Sequence, residues 1–390
     1  MRLSDIEVVS AGNHCELRAQ VTCDPTVAAH PNVSEWFAGG KPCELWYRFP
    51  KELQEYIRAD NGDPFVPALL APAMSVGEPL QIDAPVSAQL LAAIPKLQDI
   101  YACWQPEFSR IAVQAPVRPP ASPRATPTAN GLFFSLGMDS FYSLLKNVRD
   151  HPNDESTISH LIMVHGFDVY VDKWNSGTFP ALQANAQLVA EELNKTLLTV
   201  ATNLHDVGDP LVDWVEIYHG PALASVALAL EGLFGAVHMA ASHTYAHLFP
   251  LGSHPLVDPL WSTENLTLIH DGCEASRMDK ARLIAQSDVA LATLHVCTAM
   301  TEDYNCCRCD KCLLTMGELA AAGALDRCGT LPHHLDPAMV RSMRFENESR
   351  RMFMGEVLAA LEAHNLEGEL QAAIRERLAT AERSQALAGT

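Results

Sequence analysis

The chain predicts an α/β fold: a parallel sheet with helices on both faces, joined to a β-rich N-terminal domain and a helical C-terminal cap. Three observations predict it. From about residue 130 onward, short apolar runs of strand character alternate with segments of helical period. The first run, Phe133-Phe134, stops in a small polar turn, Ser135-Leu136-Gly137-Met138-Asp139-Ser140, and a helix-periodic segment follows at once. Ahead of both lies a Pro-rich stretch, Pro116 to Pro127, whose composition is that of a linker.

Taken in order, residues 1–115 hold the period-2 runs Cys15–Val21 and Cys43–Phe49, a helical segment near Ala88–Tyr101 and a strand near Ile111–Val117. Beyond the linker, strands are expected near 131–135, 158–165, 196–202, 236–242 and 292–297. Helices are expected near 139–149, 179–194, 219–233 and 276–286. Residues 334–390 read as helical and charged. The implied layout is a β-rich domain over 1–118, a linker over 119–129, a sheet domain over 130–330 and a helical region over 331–390.

Composition narrows the function. A length of 390 residues suits two or three domains, and 48% hydrophobic with 19% charged residues is an ordinary globular balance. The formal net charge of −20 repels nucleic-acid backbones, and no Lys/Arg cluster offsets it. A small-molecule substrate is therefore expected, with no nucleic acid as partner. The first residues carry no apolar signal region, and the most apolar stretch, Pro221–Ala241, is interrupted by Glu231, Gly232, Gly235 and His238. A cytoplasmic protein without a membrane partner is the expectation, so the eleven cysteines need a role other than disulfides.

Two motifs supply chemistry. A strand that ends in a Gly-bearing turn before a helix gathers backbone N–H groups and a helix N-terminus at one spot, which suits phosphate. The bland reading of the same turn is a strand–helix junction with Asp139 as a partner for the helix dipole. Cys297, Cys306, Cys309 and Cys312 follow a C-x8-C-x2-C-x2-C spacing in a polar loop. Four thiolates so spaced close a tetrahedral zinc site with no open position, which marks the metal as structural. An iron–sulfur cluster is the competing ligand, and Cys307 is a fifth thiol in the loop.

Together these motifs resemble the PP-loop ATP pyrophosphatases. The turn is similar to their pyrophosphate-binding signature, and Asn305-Cys306-Cys307-Arg308-Cys309-Asp310-Lys311-Cys312 is similar to the zinc loop of the 7-cyano-7-deazaguanine synthase-like branch. The resemblance covers about residues 130–320. It implies a Rossmann-like sheet and an enzyme that adenylates a carbonyl or carboxylate oxygen with ATP and Mg²⁺, releases pyrophosphate and lets a nucleophile displace AMP. Residue by residue, it assigns Ser135, Leu136, Gly137, Met138, Asp139 and Ser140 to the ATP phosphates. It adds Lys280 as a phosphate-side lysine, and it assigns Cys297, Cys306, Cys309 and Cys312 to Zn²⁺. Leu136 and Cys307 both stand where the family commonly has glycine. The family's substrate-recognising tyrosine–proline–aspartate segment has no match; Ser242-His243-Thr244-Tyr245-Ala246-His247 stands in its place.

Further candidates lie after the expected strands. His165 would flank the nucleotide. Ser242, His243, Tyr245, His254, Asp258, Arg277 and Cys273 are candidate catalytic or substrate residues, with His243 or His254 as general base. Ser253, Glu264, His270, Asp271 and Glu274 belong to the same polar stretch, which reads as a substrate pocket or as a solvated loop. Three functions are carried forward. The first is an ATP-dependent ligase using a nitrogen nucleophile on a carboxylate or purine-like small molecule. The second is a sulfurtransferase that thiolates a small heterocycle through Cys273. The third is a non-catalytic nucleotide-binding zinc module. The partners expected are the small molecule, a second copy of the chain in a homodimer, and a nitrogen- or sulfur-donor protein.

Overall fold

The computed structural model describes residues 1–24, 27, 42–119, 129–171, 176–297, 303–345 and 347–388. The linker expected over 119–129 lies almost wholly outside these residues. Ten strands form one mixed sheet. They are β1 (Arg2–Ala11), β2 (His14–Thr22), β3 (Cys43–Pro50), β4 (Leu80–Ile82), β5 (Val113–Gln114), β6 (Ala129–Phe133), β7 (His160–His165), β8 (Thr196–Thr202), β9 (Phe234–Ala240) and β10 (Thr267–Asp271). The helices are α1 (Phe65–Val76), α2 (Ala88–Trp104), α3 (Met138–Asp150), α4 (Phe179–Glu192), α5 (Leu204–Gly208), α6 (His219–Ala229), α7 (Arg277–Ile284), α8 (Asp288–Thr293), α9 (Asp310–Ala321), α10 (Pro337–Ser342), α11 (Glu348–Ala363) and α12 (Gly368–Ala388).

Across the sheet the order is β10-β9-β6-β7-β8-β3-β2-β1-β4-β5. The five strands from β6 to β10 are mutually parallel. Their order, counted from β6, is 3-2-1-4-5, so the chain reverses direction across the sheet between β6 and β9. Ligands of such sheets sit at the carboxyl ends of strands beside that switch point. The turn after β6 lies there.

The N-terminal region, expected as a β-rich domain of its own, contributes five strands to this same sheet. β3 pairs antiparallel with β8, Tyr47 against Thr202 and Arg48 against Ala201. The core is shared as well. Alternate residues of each parallel strand point to opposite faces. Phe133 and Ile162 enter a core with β1–β3, α1, α2 and α6. Leu132, Leu161 and Met163 enter the second core, with α3, α4, α7, α9 and the C-terminal helices. The expected helical C-terminal region is present, and it belongs to that second core rather than standing apart.

Two expectations about strands fail. Residues 292–297 hold no strand. Ser287 accepts the Ala290 N–H and caps α8, and the chain then runs on irregularly to Cys297. The fifth parallel strand is β10, Thr267–Asp271, from the run read as a pocket or loop; as an edge strand it carries little apolar signal. Among the described residues, no helix is long and apolar enough to cross a membrane.

Candidate functional site

The turn after β6 has three notable features. Leu136 is fully buried with φ +64°, a left-handed conformation that few side chains adopt. Gly137 is the N-cap of α3 and supplies no side-chain hydrogen bond, so no side chain caps the first-turn N–H groups. Ser135 is exposed, whereas the Ser140 hydroxyl is turned inward. The Ser140 hydroxyl accepts from the Ser135 N–H (3.4 Å) and donates to the Gly137 carbonyl (3.1 Å), tying the turn to itself.

A cationic wall faces the turn. Ser276 and Asp279 form a reciprocal capping box that starts α7. Residues 277 and 280 then share one helix face, three apart. Lys280, fully buried, donates to the Asp139 carboxylate (2.8 Å) and to the Ala241 carbonyl. Arg277 grips Glu318 of α9 through two bonds of 2.9 and 3.0 Å and reaches Asp139 at 3.5 Å. Ser242, just past β9, donates to the Asp139 oxygen that Arg277 reaches (3.2 Å). Burial pushes the Asp139 carboxyl up, but Lys280 and Arg277 outweigh it and hold the group well below the usual carboxylate range. At 22% exposure the Asp139 side chain still reaches the surface of the site. Burial raises the Glu318 carboxyl.

A narrow pocket adjoins Ser242. Its lining includes His243, Phe249, Ser253, His254 and His270, and its accessible volume of about 10 Å³ holds roughly one water. Two histidines in it are tuned apart. Burial pushes His243 down to about 4, and its Nδ1 is buried without a partner. His243 also stacks on Phe353 of α11 at 5.3 Å. Burial lowers His270 too, but its bond to Asp258 (2.7 Å) and its contact with Cys273 carry it up to about 9. Two imidazoles with oppositely shifted pKa values thus line one pocket.

The remaining candidates divide. Asp258, fully buried, accepts from Ser253 (2.6 Å) and His270, so it orients the pocket wall rather than lining it. His254 is used internally: its Nδ1 accepts the Leu256 N–H (3.1 Å) and its ring packs edge-on to Trp104. Cys273 is 1% exposed and outside the pocket lining. Tyr245 is 64% exposed, its N–H bonded to the Cys273 carbonyl. His165, at the end of β7, meets the Tyr170 carbonyl (3.0 Å) and stacks on Phe179 at 4.0 Å. Glu318 and Phe353 escaped the sequence reading. Both come from distant helices and join the site only through packing.

The four predicted ligand cysteines converge. Their sulfurs lie within 4.8 Å of one another, with Cys297–Cys309 at 4.0 Å and Cys306–Cys312 at 3.9 Å. A tetrahedral ion with bonds of 2.3 Å has edges of about 3.8 Å, so the cluster fits a structural metal such as zinc with little adjustment. The Cys306 N–H points at the Cys297 sulfur (3.4 Å), and the Cys309 N–H at the Cys306 sulfur (3.3 Å). Both bonds favour thiolate charge. Asn305 braces the loop: its side-chain oxygen accepts from the Val296 N–H (2.9 Å) and the Cys297 N–H (3.2 Å), and its side-chain amide donates to the Leu294 and Thr330 carbonyls. Cys307, at φ +57°, turns its thiol toward the Asn305 backbone carbonyl (3.1 Å).

No family model, curated protein or solved structure matches the chain.

Proposed function

We propose that the protein is an adenylating enzyme of the PP-loop type, acting on a carboxylate or carbonyl oxygen of a small molecule. The observation that carries this reading is the uncapped, left-handed turn at the switch point, with Lys280 and Arg277 converging on its Asp139. In this reading the N–H groups of the turn and the Ser135 hydroxyl bind the β,γ-phosphates. Lys280 offsets charge toward the α-phosphate. Asp139 would share Mg²⁺, whose charge stabilises the departing pyrophosphate.

The substrate oxygen attacks the α-phosphorus and pyrophosphate leaves. A nitrogen nucleophile then attacks the activated carbon, loses a proton, and AMP leaves. With its pKa pushed down to about 4, His243 is too weak a base to hold that proton, which passes to solvent; His243 lines the pocket against the substrate, and His270, raised by Asp258, suits the stabilisation of developing negative charge. Arg277, bound to Glu318, acts as scaffold for Asp139. Thiolation through Cys273 is the weaker reading, because that thiol is buried and outside the pocket. The four-cysteine site, closed to substrate, serves as structure.

Product analysis tests the proposal. With a panel of small carboxylates and purine-like carbonyls, ATP is expected to yield AMP and pyrophosphate. ADP and phosphate instead would overturn it. Bound ATP that survives every substrate would favour a non-catalytic nucleotide-binding module.

A further inference from the structure

We propose that the cysteine loop is a working part of the phosphate site: loaded with metal, it delivers Lys311 to the phosphates and holds Leu136 in place through His295. The inference rests on the adenylation reading and deepens it.

Three observations carry it. The first is a direct tether. The His295 N–H donates to the Leu136 carbonyl (3.0 Å), and the His295 carbonyl lies 3.7 Å from where a Cβ on Gly137 would stand. His295 is two residues ahead of Cys297, and Asn305 ties the backbone at 294, 296 and 297 to the cysteine loop. The segment that buttresses the turn is therefore the segment that enters the metal site.

The second is charge. Lys311 sits between Cys309 and Cys312 in the first turn of α9. Its half-buried ammonium makes no hydrogen bond or ion pair among the described residues, although the fields of Asp168 and Asp139 reach it. The neighbouring cations are engaged: Lys280 on Asp139, Arg277 on Glu318. An unpaired ammonium whose field reaches Asp139, in the first turn of the uncapped α3, matches a polyphosphate.

The third is strain. Leu136 and Cys307 both hold left-handed conformations without being glycine, at φ +64° and +57°. Such conformations persist where the surroundings over-determine them. Here the turn is held by the His295 tether, and the cysteine loop by its four sulfurs and Asn305. Releasing the metal removes one set of restraints from a segment bonded to the other.

The test is titration of inorganic pyrophosphate and of ATP into zinc-loaded wild type, zinc-stripped wild type and zinc-loaded Lys311→Gln, with zinc content and circular dichroism recorded for each. Loss of the charge is expected to weaken both ligands about tenfold, the equivalent of about 1.4 kcal/mol. Stripping should weaken them at least as much, with recovery on adding zinc. By linkage, saturating pyrophosphate should slow zinc loss to a chelator in wild type, and less so in Lys311→Gln. The proposal falls if Lys311→Gln, with full zinc, binds pyrophosphate as wild type does. It also falls if folded, stripped protein binds as loaded protein does, while the adenylation reading survives both results. Absence of binding by loaded wild type overturns both. Should stripping unfold the chain, Lys311→Gln decides alone.

Discussion

The turn after β6 and the cysteine loop reach similar backbone geometry by different means. Each puts a non-glycine residue at positive φ, Leu136 in one and Cys307 in the other. The turn is complete without a ligand: Ser135, Gly137 and Ser140 bond to one another, and Asp139 has its cations. The loop is not. Four thiols face a common centre, and gathering them as thiolates without an ion would place like charges together. The turn's side chains are thus partnered within the fold, whereas the loop gathers four thiols that a metal such as zinc would fit.

The largest expected effect breaks the loop. Cys312→Ser should lower zinc content from one per chain to near zero and cost on the order of several kcal/mol in urea unfolding, because metal binding is folding free energy. Ser135→Ala, in the exposed part of the turn, should change stability by no more than about 0.5 kcal/mol. Equal losses in the two variants would dissolve the contrast.

Next comes Asp139→Asn, which strands Lys280 and Arg277 and should destabilise by about 2–3 kcal/mol at pH 7. The folded-state pKa of Asp139 is depressed, so its stabilisation is full above the ordinary carboxylate range and is lost as pH falls through it. The gap between wild type and variant should therefore begin to narrow below about pH 4 and close only as pH approaches the depressed folded value. A gap independent of pH would point to packing instead.

His270 has the opposite sign. Its folded pKa is raised to about 9, so its contribution is full below the ordinary histidine value of about 6.5 and is lost as pH rises from there toward 9. Imidazole NMR should show it titrating near the top of that window. In Asp258→Asn it should fall well below about 9, since burial is then opposed only by the Cys273 contact.

The smallest effect sharpens the comparison. Cys307→Gly removes left-handed strain of about 1–2 kcal/mol against a glycine entropy cost of about 0.5–1, for a modest net gain in thermal stability. Leu136→Gly relieves similar strain, but it empties a fully buried core position and should lose stability overall. Opposite signs at two positions of like φ are the expected result.

Local pattern made much of this legible. The β6–turn–α3 unit, β7, α4 and β8 follow from periodicity, and the convergence of the four cysteines follows from their spacing. Long-range pairing did not. Nothing local in Tyr47 or Thr202 says that β3 lies against β8, so one continuous sheet read as two domains. The Arg277–Glu318 pair joins helices 41 residues apart, and Phe353 arrives from the C-terminal region to stack on His243. β10 was hidden by the polarity of an edge strand that ends in His270 and Asp271, both engaged in polar contacts. α8 was missed because Ser287 was not recognised as its cap.

A crystal structure of the zinc-loaded protein with Mg²⁺ and an ATP analogue carrying a non-cleavable α,β-bridge tests the central claim most directly. The account predicts the β,γ-phosphates at the N–H groups of residues 136–140, beside Lys280 and Lys311, with the α-phosphate facing the Ser242–His243 pocket. A nucleotide bound elsewhere, or phosphates turned away from that turn, would contradict it.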